Sequence, residues 1–405
     1  MRNKENVFLC IAIFYITYLL FPVFTNMIQP WLPCTAVSVL LLLLFPSDVF
    51  NSTTTKWFVC YCVITSIFLL SGRTLKIDIG RCTSFSQLII EYAFMLPNII
   101  ISSILINRRT GKIYTLLGNY VLVLICVSFL IVLPQMQNMD LRNMARRFDE
   151  TSEMAVGTIN YTLLHAYIIL IPVLYFCYLT FKGKRKWFYL LCLLLTSYVI
   201  LKSSITTTIV MLVIEIGLLI AYNSKKRVAS LIGVSILFIL FFILFQTGTI
   251  VALLNIVQPF FSGTAVEEKI EAFKILAMTG SSTGSLGARE DLHGISWNAF
   301  FDNVLWGGGY AGGHSSIVDR MGVMGLIGFI PYIMIFISNA SAWINRMNNY
   351  SRKYYLFSFL SVIVLLYTKG LFGQEGYLFF MVLLPIFSLL PYIKLSKNSS
   401  VINNK

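Results

Sequence analysis

Charge is what this chain has least of. Asp, Glu, Lys and Arg make up 12% of its 405 residues, while the AVILMFWYC set makes up 57% and the mean hydropathy is +0.79. A soluble domain carries about 25% charged residues. The shortfall excludes an ordinary soluble enzyme, a disordered chain and a nucleic-acid-binding domain. Catalytic signatures are also missing. No Asp-x-Asp pair occurs, so the usual grip on a metal–nucleotide-sugar is absent. There is no His-Glu-x-x-His or Cys-His metal set. Histidine occurs three times. The eight cysteines fall almost all inside apolar runs, and Cys60-x-Cys62 is not metal spacing; buried, inert thiols are expected rather than a disulfide framework.

What the chain has in abundance is long apolar runs. They place membrane spans near 7–25, 31–45, 57–72, 87–106, 113–134, 158–181, 187–202, 204–222, 229–250, 316–339, 354–371 and 376–393. Solid apolar runs select helices, because a barrel needs alternating segments of about ten residues. The first run is too long for a signal-peptide core and lacks a small-residue cleavage site, so it reads as a span. The expected fold is thus all-α, a polytopic membrane protein of about twelve helices. Residues 1–250 hold helices one to nine with an external loop at 135–157. Residues 251–315 form a large external loop, and 316–405 hold helices ten to twelve and a cytoplasmic C-terminus.

The net charge of +14 would suit a nucleic-acid partner in a soluble chain. Here topology explains it. With the N-terminus inside, the short connectors 107–112, 182–186 and 223–227 all fall on the cytoplasmic side and carry ten basic residues and no acid. Glu91 and Glu215 remain inside spans, with no ion-coupling partner evident in sequence; Glu91 lies near the outer end, where it can reach water.

Loops as long as 251–315 in a compact chain usually carry function. Residues 264–279 place Val266, Ile270, Phe273 and Ala277 at helical spacing, with Glu267, Glu268, Lys269, Glu271 and Lys274 off that stripe. This predicts an amphipathic helix, lying on the outer interface or packed on its own bundle. A turn-rich stretch, 280–287, follows. An apolar segment then runs to Trp297, Phe300 and Phe301, and Asp302-Asn303 breaks it. The glycines of 307–313 feed a helix start near Ser315, where free N–H groups and the positive dipole end suit an anionic ligand. A plain re-entrant turn explains the same residues. No Gly-Lys-Ser/Thr follows, so this is not a P-loop.

His314 sits at that helix start, beside glycines that let a substrate approach, and a neutral imidazole there can serve as a base. His293 is a second candidate, and His165 lies within the sixth span as a packed residue. Arg289 has a planar fork suited to a pyrophosphate; a surface ion pair with Glu290 or Asp291 explains it equally well. Arg142 and Arg146 are four apart, with Arg147 adjacent, so they repel unless an anion lies between them; pairing with Asp149, Glu150 and Glu153 is the alternative. Lys202, at the outer end of the seventh span, is explained by snorkelling.

Ser285-Leu-Gly-Ala-Arg289, Phe300-Phe-Asp-Asn303, Gly307-Gly-Gly309, Gly312-Gly-His-Ser-Ser-Ile-Val-Asp319 and Gly322-x-x-Gly325 together resemble the large outer loop of Wzy-type O-antigen and capsule polymerases. O-antigen ligases share much of the pattern, although His-Ser after the glycines looks more like a polymerase. The resemblance implies a GT-C-like membrane glycosyltransferase in the bacterial inner membrane that uses no metal and no cofactor. It would take a glycan from undecaprenyl pyrophosphate and join it to a hydroxyl of a second lipid-linked repeat unit. It implies Arg289 as stabiliser of the departing pyrophosphate and His314 as general base. Arg142, Arg146 and Arg147, with Asp319 and Arg320, would bind pyrophosphate or glycan. The family often has an arginine near the start of the eighth span; Ile205 and Lys202 occupy that neighbourhood here, and Lys202 can act only as a point charge. Implied partners are undecaprenyl-pyrophosphate-linked oligosaccharides, membrane lipid, a chain-length-regulating co-polymerase and a flippase, with no nucleic acid. The rival activities are an O-antigen ligase and a lipid-linked glycan flippase or other transporter. A transporter predicts internal repeats, and the two halves show none.

Overall fold

In a computed structural model, residues 2–21, 24, 28–71, 76–77, 85–108, 111–133, 161–203, 205–223, 250–263, 265–279, 284–313, 315–368, 373–391 and 393 are described. They are almost entirely helical. In chain order the helices are α1 (Arg2–Leu20), α2 (Trp31–Leu44), α3 (Pro46–Phe50), α4 (Thr53–Leu70), α5 (Phe85–Arg108), α6 (Gly111–Val132), α7 (Tyr161–Tyr167), α8 (Ile171–Thr180), α9 (Lys184–Lys202) and α10 (Thr206–Asn223). There follow α11 (Ile250–Val257), α12 (Ala265–Thr279), α13 (Gly284–Asp302), α14 (Ser316–Ile344), α15 (Asn349–Thr368) and α16 (Gly373–Leu378). A 3-10 turn joins α7 to α8, and α16 runs on through a π-helical turn, Phe379–Leu383.

Five of these stretches are long and apolar enough to cross a membrane: Thr53–Leu70, Gly111–Ile131, Leu163–Thr180, Ser316–Ile344 and Gly373–Pro391. Two shorter apolar helices are Trp31–Leu44 and Thr207–Asn223. All seven fall on expected spans. The chain is an all-α membrane protein. The expected ninth span, 229–250, lies outside the described residues except for Ile250.

Burial sorts the helices. The final helix is buried on every side, from Gln374 to Leu390, and forms the centre. By contrast α4 keeps Val59, Val63, Ile67 and Leu70 exposed on one stripe, with Phe58, Tyr61 and Phe68 buried behind it. A helix apolar all round belongs inside, while a stripe left bare in an apolar helix is the surface offered to lipid.

The exception to the helical rule is a parallel two-residue ladder. Strand β1 (Lys76–Ile77) pairs with β2 (Tyr310–Ala311). It brings Lys76–Ile77 alongside Tyr310–Ala311, 234 residues further on.

Helix α12 matches the expected amphipathic segment and packs on α11 and α13. Lys269, expected on its polar side, is buried. Of the stretch 280–287, expected as turns, residues 280–283 lie outside the described residues; the rest is corrected, because α13 begins at Gly284 and is helical through Ser285, Leu286 and Gly287. Gly and Ser are weak helix formers, but packing of α13 against α12, β2 and α14 overrides that preference. The expected break at Asp302-Asn303 is where α13 ends.

Candidate functional site

The described motif-bearing residues form one interlocked unit: α13, a glycine turn, β2 and the first half of α14. Its centre is a break in α14 at Gly325, where φ is 57° and ψ is −160°. A break in a membrane helix strands backbone groups that lipid cannot satisfy. The preceding turn satisfies them here. Leu326 N–H donates to Val304 O at 2.9 Å and Ile327 N–H to Leu305 O at 3.2 Å, while Gly308 N–H donates to Gly322 O at 2.9 Å. Trp306 anchors the turn against Phe68 at the end of α4, with ring centroids 5.8 Å apart.

The glycines make this possible by close backbone approach. A Cβ at Gly312 would lie 2.1 Å from Leu292 O, and one at Gly322 would lie 2.7 Å from Ser296 O. At Gly325 a Cβ would meet Leu305 O at 2.4 Å. The expectation that the glycines beside His314 let a substrate approach is corrected: Gly307, Gly308 and Gly312 instead admit the chain's own backbone, as do Gly322 and Gly325 along α14.

The start of α14 supplies its own capping groups. Ser315 is extended and its hydroxyl accepts from Val318 N–H at 3.1 Å. Asp319, almost fully buried, accepts Ser315 N–H on Oδ2 at 2.8 Å and the Ser296 hydroxyl on Oδ1 at 2.7 Å. Ser296 Oγ in turn accepts Gly312 N–H at 2.8 Å. The helix start near Ser315 is expected to leave N–H groups free for an anion; those of Ser315 and Val318 are taken, and Asp319 is the carboxylate there. One serine and one aspartate clasp α13, β2 and α14.

Arg320, next along α14, points about 100° away from Asp319. It is buried and ion-paired with Glu91 of α5. Its Nε donates to the Tyr61 hydroxyl of α4 at 3.2 Å, and Nη1 to Ser316 O at 3.1 Å. The guanidinium lies 4.2 Å from the centre of the Tyr332 ring, a cation–π contact. Tyr92, whose hydroxyl bonds that of Thr65, packs edge-on against Tyr61. Glu91, expected to reach water without a partner, instead has an arginine 229 residues away. Sequence reasoning missed this pair and the Ser296 clasp. The only signal was two unpaired charges in apolar surroundings.

The other site residues are placed as follows. Arg289 lies on the second turn of α13. His314, Arg142, Arg146 and Arg147 lie outside the described residues. Lys202 ends α9 and is exposed; α9 packs on α6, α8 and α10, away from the α4, α5 and α13 surroundings of α14. His293 lies on α13 with its ring 5.5 Å from that of Tyr367 of α15. His165 is buried in α7. At the surface, the Tyr310 hydroxyl donates to Asp302 Oδ2 at 2.7 Å, and that carboxylate raises the phenol's pKa. Among the described residues, no group of three His, Cys, Asp or Glu side chains is set to hold a metal ion. No model of a protein family matches this sequence, and no curated protein matches it.

Proposed function

We propose that the chain is a surface-polysaccharide polymerase of the bacterial inner membrane. In this reading it has twelve spans, a GT-C-like fold, cytoplasmic termini and its long loop on the outer face. The donor is a glycan on undecaprenyl pyrophosphate, and the acceptor is a hydroxyl of a second lipid-linked repeat unit. The observation that carries the reading is the clustering of its motifs. Every described residue from Gly284 to Gly325 belongs to a single unit clasped by Asp319 and Ser296 and plugged into the break of α14.

The chemistry asks for a base and a cation. His314 takes the proton of the acceptor hydroxyl as its oxygen bonds the anomeric carbon, a contribution of about 10²–10⁴-fold. The bond from that carbon to the pyrophosphate oxygen breaks, and the electron pair leaves with the pyrophosphate. Arg289 stabilises the charge developing there, usually the largest single contribution. Arg142, Arg146 and Arg147 hold a lipid pyrophosphate. Asp319 and Arg320 are engaged within the protein, so in this reading they position the loop unit and do not grip substrate. Lys202 keeps at most a supporting charge. A co-polymerase and a flippase are the expected partners.

The test uses cells that lack this gene but make its repeat units. Wild type, His314→Ala and Arg289→Ala are restored at matched protein levels, and surface glycan is resolved on a gel. A ladder with wild type and single repeats with both variants supports polymerisation. Long polymer left on its lipid carrier in the null strain identifies a ligase instead. Repeats trapped on the cytoplasmic leaflet identify a flippase and overturn the His314 mechanism.

A further inference from the structure

Away from the loop unit, a cavity of about 80 Å³ lies between α8, α10 and α15. Its walls are apolar, with Pro172, Met211, Leu218, Phe357 and Val364 among them. Two polar side chains interrupt them, Glu215 and Ser361. Glu215 is 7% exposed. The Ser361 hydroxyl donates to Oε1, and Oε2 has no hydrogen-bond partner among the described residues. A buried carboxyl satisfied on one side only is a rare and costly arrangement.

Water does not complete it well. A cavity of about 10–15 Å³ can hold one water, so size permits several, but each needs two to four polar partners. These walls offer almost none. The rim shows where an occupant would enter. Ile214 and Leu360, both lining the cavity, are 36% and 51% exposed, on the lipid-facing sides of α10 and α15. An occupant arriving there is dissolved in the membrane and has an apolar body. Its polar group must meet Oε2 without bringing a charge into the cavity, since desolvating an ion is prohibitive. A hydroxyl meets that demand, because it donates to a carboxylate and accepts from a carboxylic acid. A cavity of about 150 Å³ is known to take benzene. The smaller volume here admits only the hydroxyl-bearing end of a longer chain.

We propose that this cavity is a binding site for a membrane-soluble alcohol, isoprenoid or aliphatic, held by a hydrogen bond between its hydroxyl and Glu215 Oε2. The site lies apart from the loop unit and is independent of the polymerase reading.

The test uses the full chain in lipid nanodiscs and dicyclohexylcarbodiimide, an apolar reagent that modifies carboxyls reached from lipid. Labelling rates at Glu215 and Glu91 are read by peptide mass spectrometry. Glu215 is expected to label, and Glu91, held by Arg320, to label at least tenfold more slowly. Saturating farnesol or dodecan-1-ol is expected to slow labelling of Glu215 about tenfold, and dodecane to leave it unchanged. Protection by farnesol alone assigns an isoprenoid occupant, and protection by both assigns a general aliphatic site. Failure of Glu215 to label overturns the opening to lipid. Labelling that neither alcohol slows, or that dodecane slows equally, overturns hydroxyl recognition. Ser361→Ala, which keeps Glu215 and its cavity, is expected to retain alcohol protection; its loss there would place the hydroxyl on Ser361 and overturn the assignment.

Discussion

Glu91 and Glu215 are the same side chain in similar apolar helices, and the protein treats them in opposite ways. Glu91 faces a guanidinium supported by Tyr61 and Tyr332. Glu215 has one serine and a cavity. The first arrangement joins α5 to the start of α14 and thereby holds the unit that carries the motifs. The second joins α10 to α15 and leaves a polar atom facing an apolar space. An acidic residue in an apolar run is therefore not one kind of feature. Its partner decides whether it is a fastener or a site.

The sharpest way to break this comparison is to remove one half of the ion pair. Arg320→Leu leaves Glu91 uncompensated and is expected to cost about 3–5 kcal/mol, read by thermal unfolding of the detergent-solubilised protein. The double variant Glu91→Gln, Arg320→Leu should recover most of that loss. A single variant as stable as wild type would show that the pair fastens nothing. Next in size is Ser361→Ala, which strips Glu215 of its one partner. About 1–3 kcal/mol is expected, the penalty for an unsatisfied buried group. A loss as large as that of Arg320→Leu would mean that Glu215 is held as a charge, and the contrast would collapse.

Two further carboxyls extend the series. Ser296→Ala unclasps Asp319 and leaves Gly312 N–H without its acceptor, which should cost about 1–2 kcal/mol by the same measurement. In cells it should shorten surface glycan even at matched protein levels. Asp302 stands at the surface, and the smallest effect belongs there. Tyr310→Phe removes its hydrogen bond. The folded phenol has its pKa raised by Asp302, so the bond's stability is fully present below the unfolded value near 10 and is lost as pH rises through the folded value. The melting-temperature gap between wild type and variant should be flat from about pH 6 to 9 and close above about pH 10. A gap that widened with alkali would reverse the assignment.

Much of the scaffold was legible in the residues. Apolar runs at 57–72, 113–134, 158–181, 316–339 and 376–393 correspond to membrane-length helices. The end of α13 at Asp302, the helix start at Ser316 and the amphipathic α12 were legible as well. The beginning of α13 was not, because Gly-Ser-Leu-Gly reads as turn wherever its neighbours are unknown. The break at Gly325 was also hidden. Gly322, Gly325 and Gly328 fit a helix that packs closely, and only the plug from Val304 and Leu305 converts one of them into a break. The Glu91–Arg320 pair was invisible because local periodicity carries no information about a contact across 229 residues.

The sequence by itself determined that the chain lies in a membrane and crosses it as helices. With so little charge and such long apolar runs, each backbone amide must be satisfied within its own segment. It also determined where glycine replaces side chain. The tertiary structure decided what those glycines are for, since steric demand at 2.1–2.7 Å exists only once Leu292, Ser296 and Leu305 have been brought alongside. It decided, too, which carboxyl obtained a cation and which kept an unpaired oxygen. Burial alone raises the cost of charge for both residues, and only packing supplies the partner that offsets it.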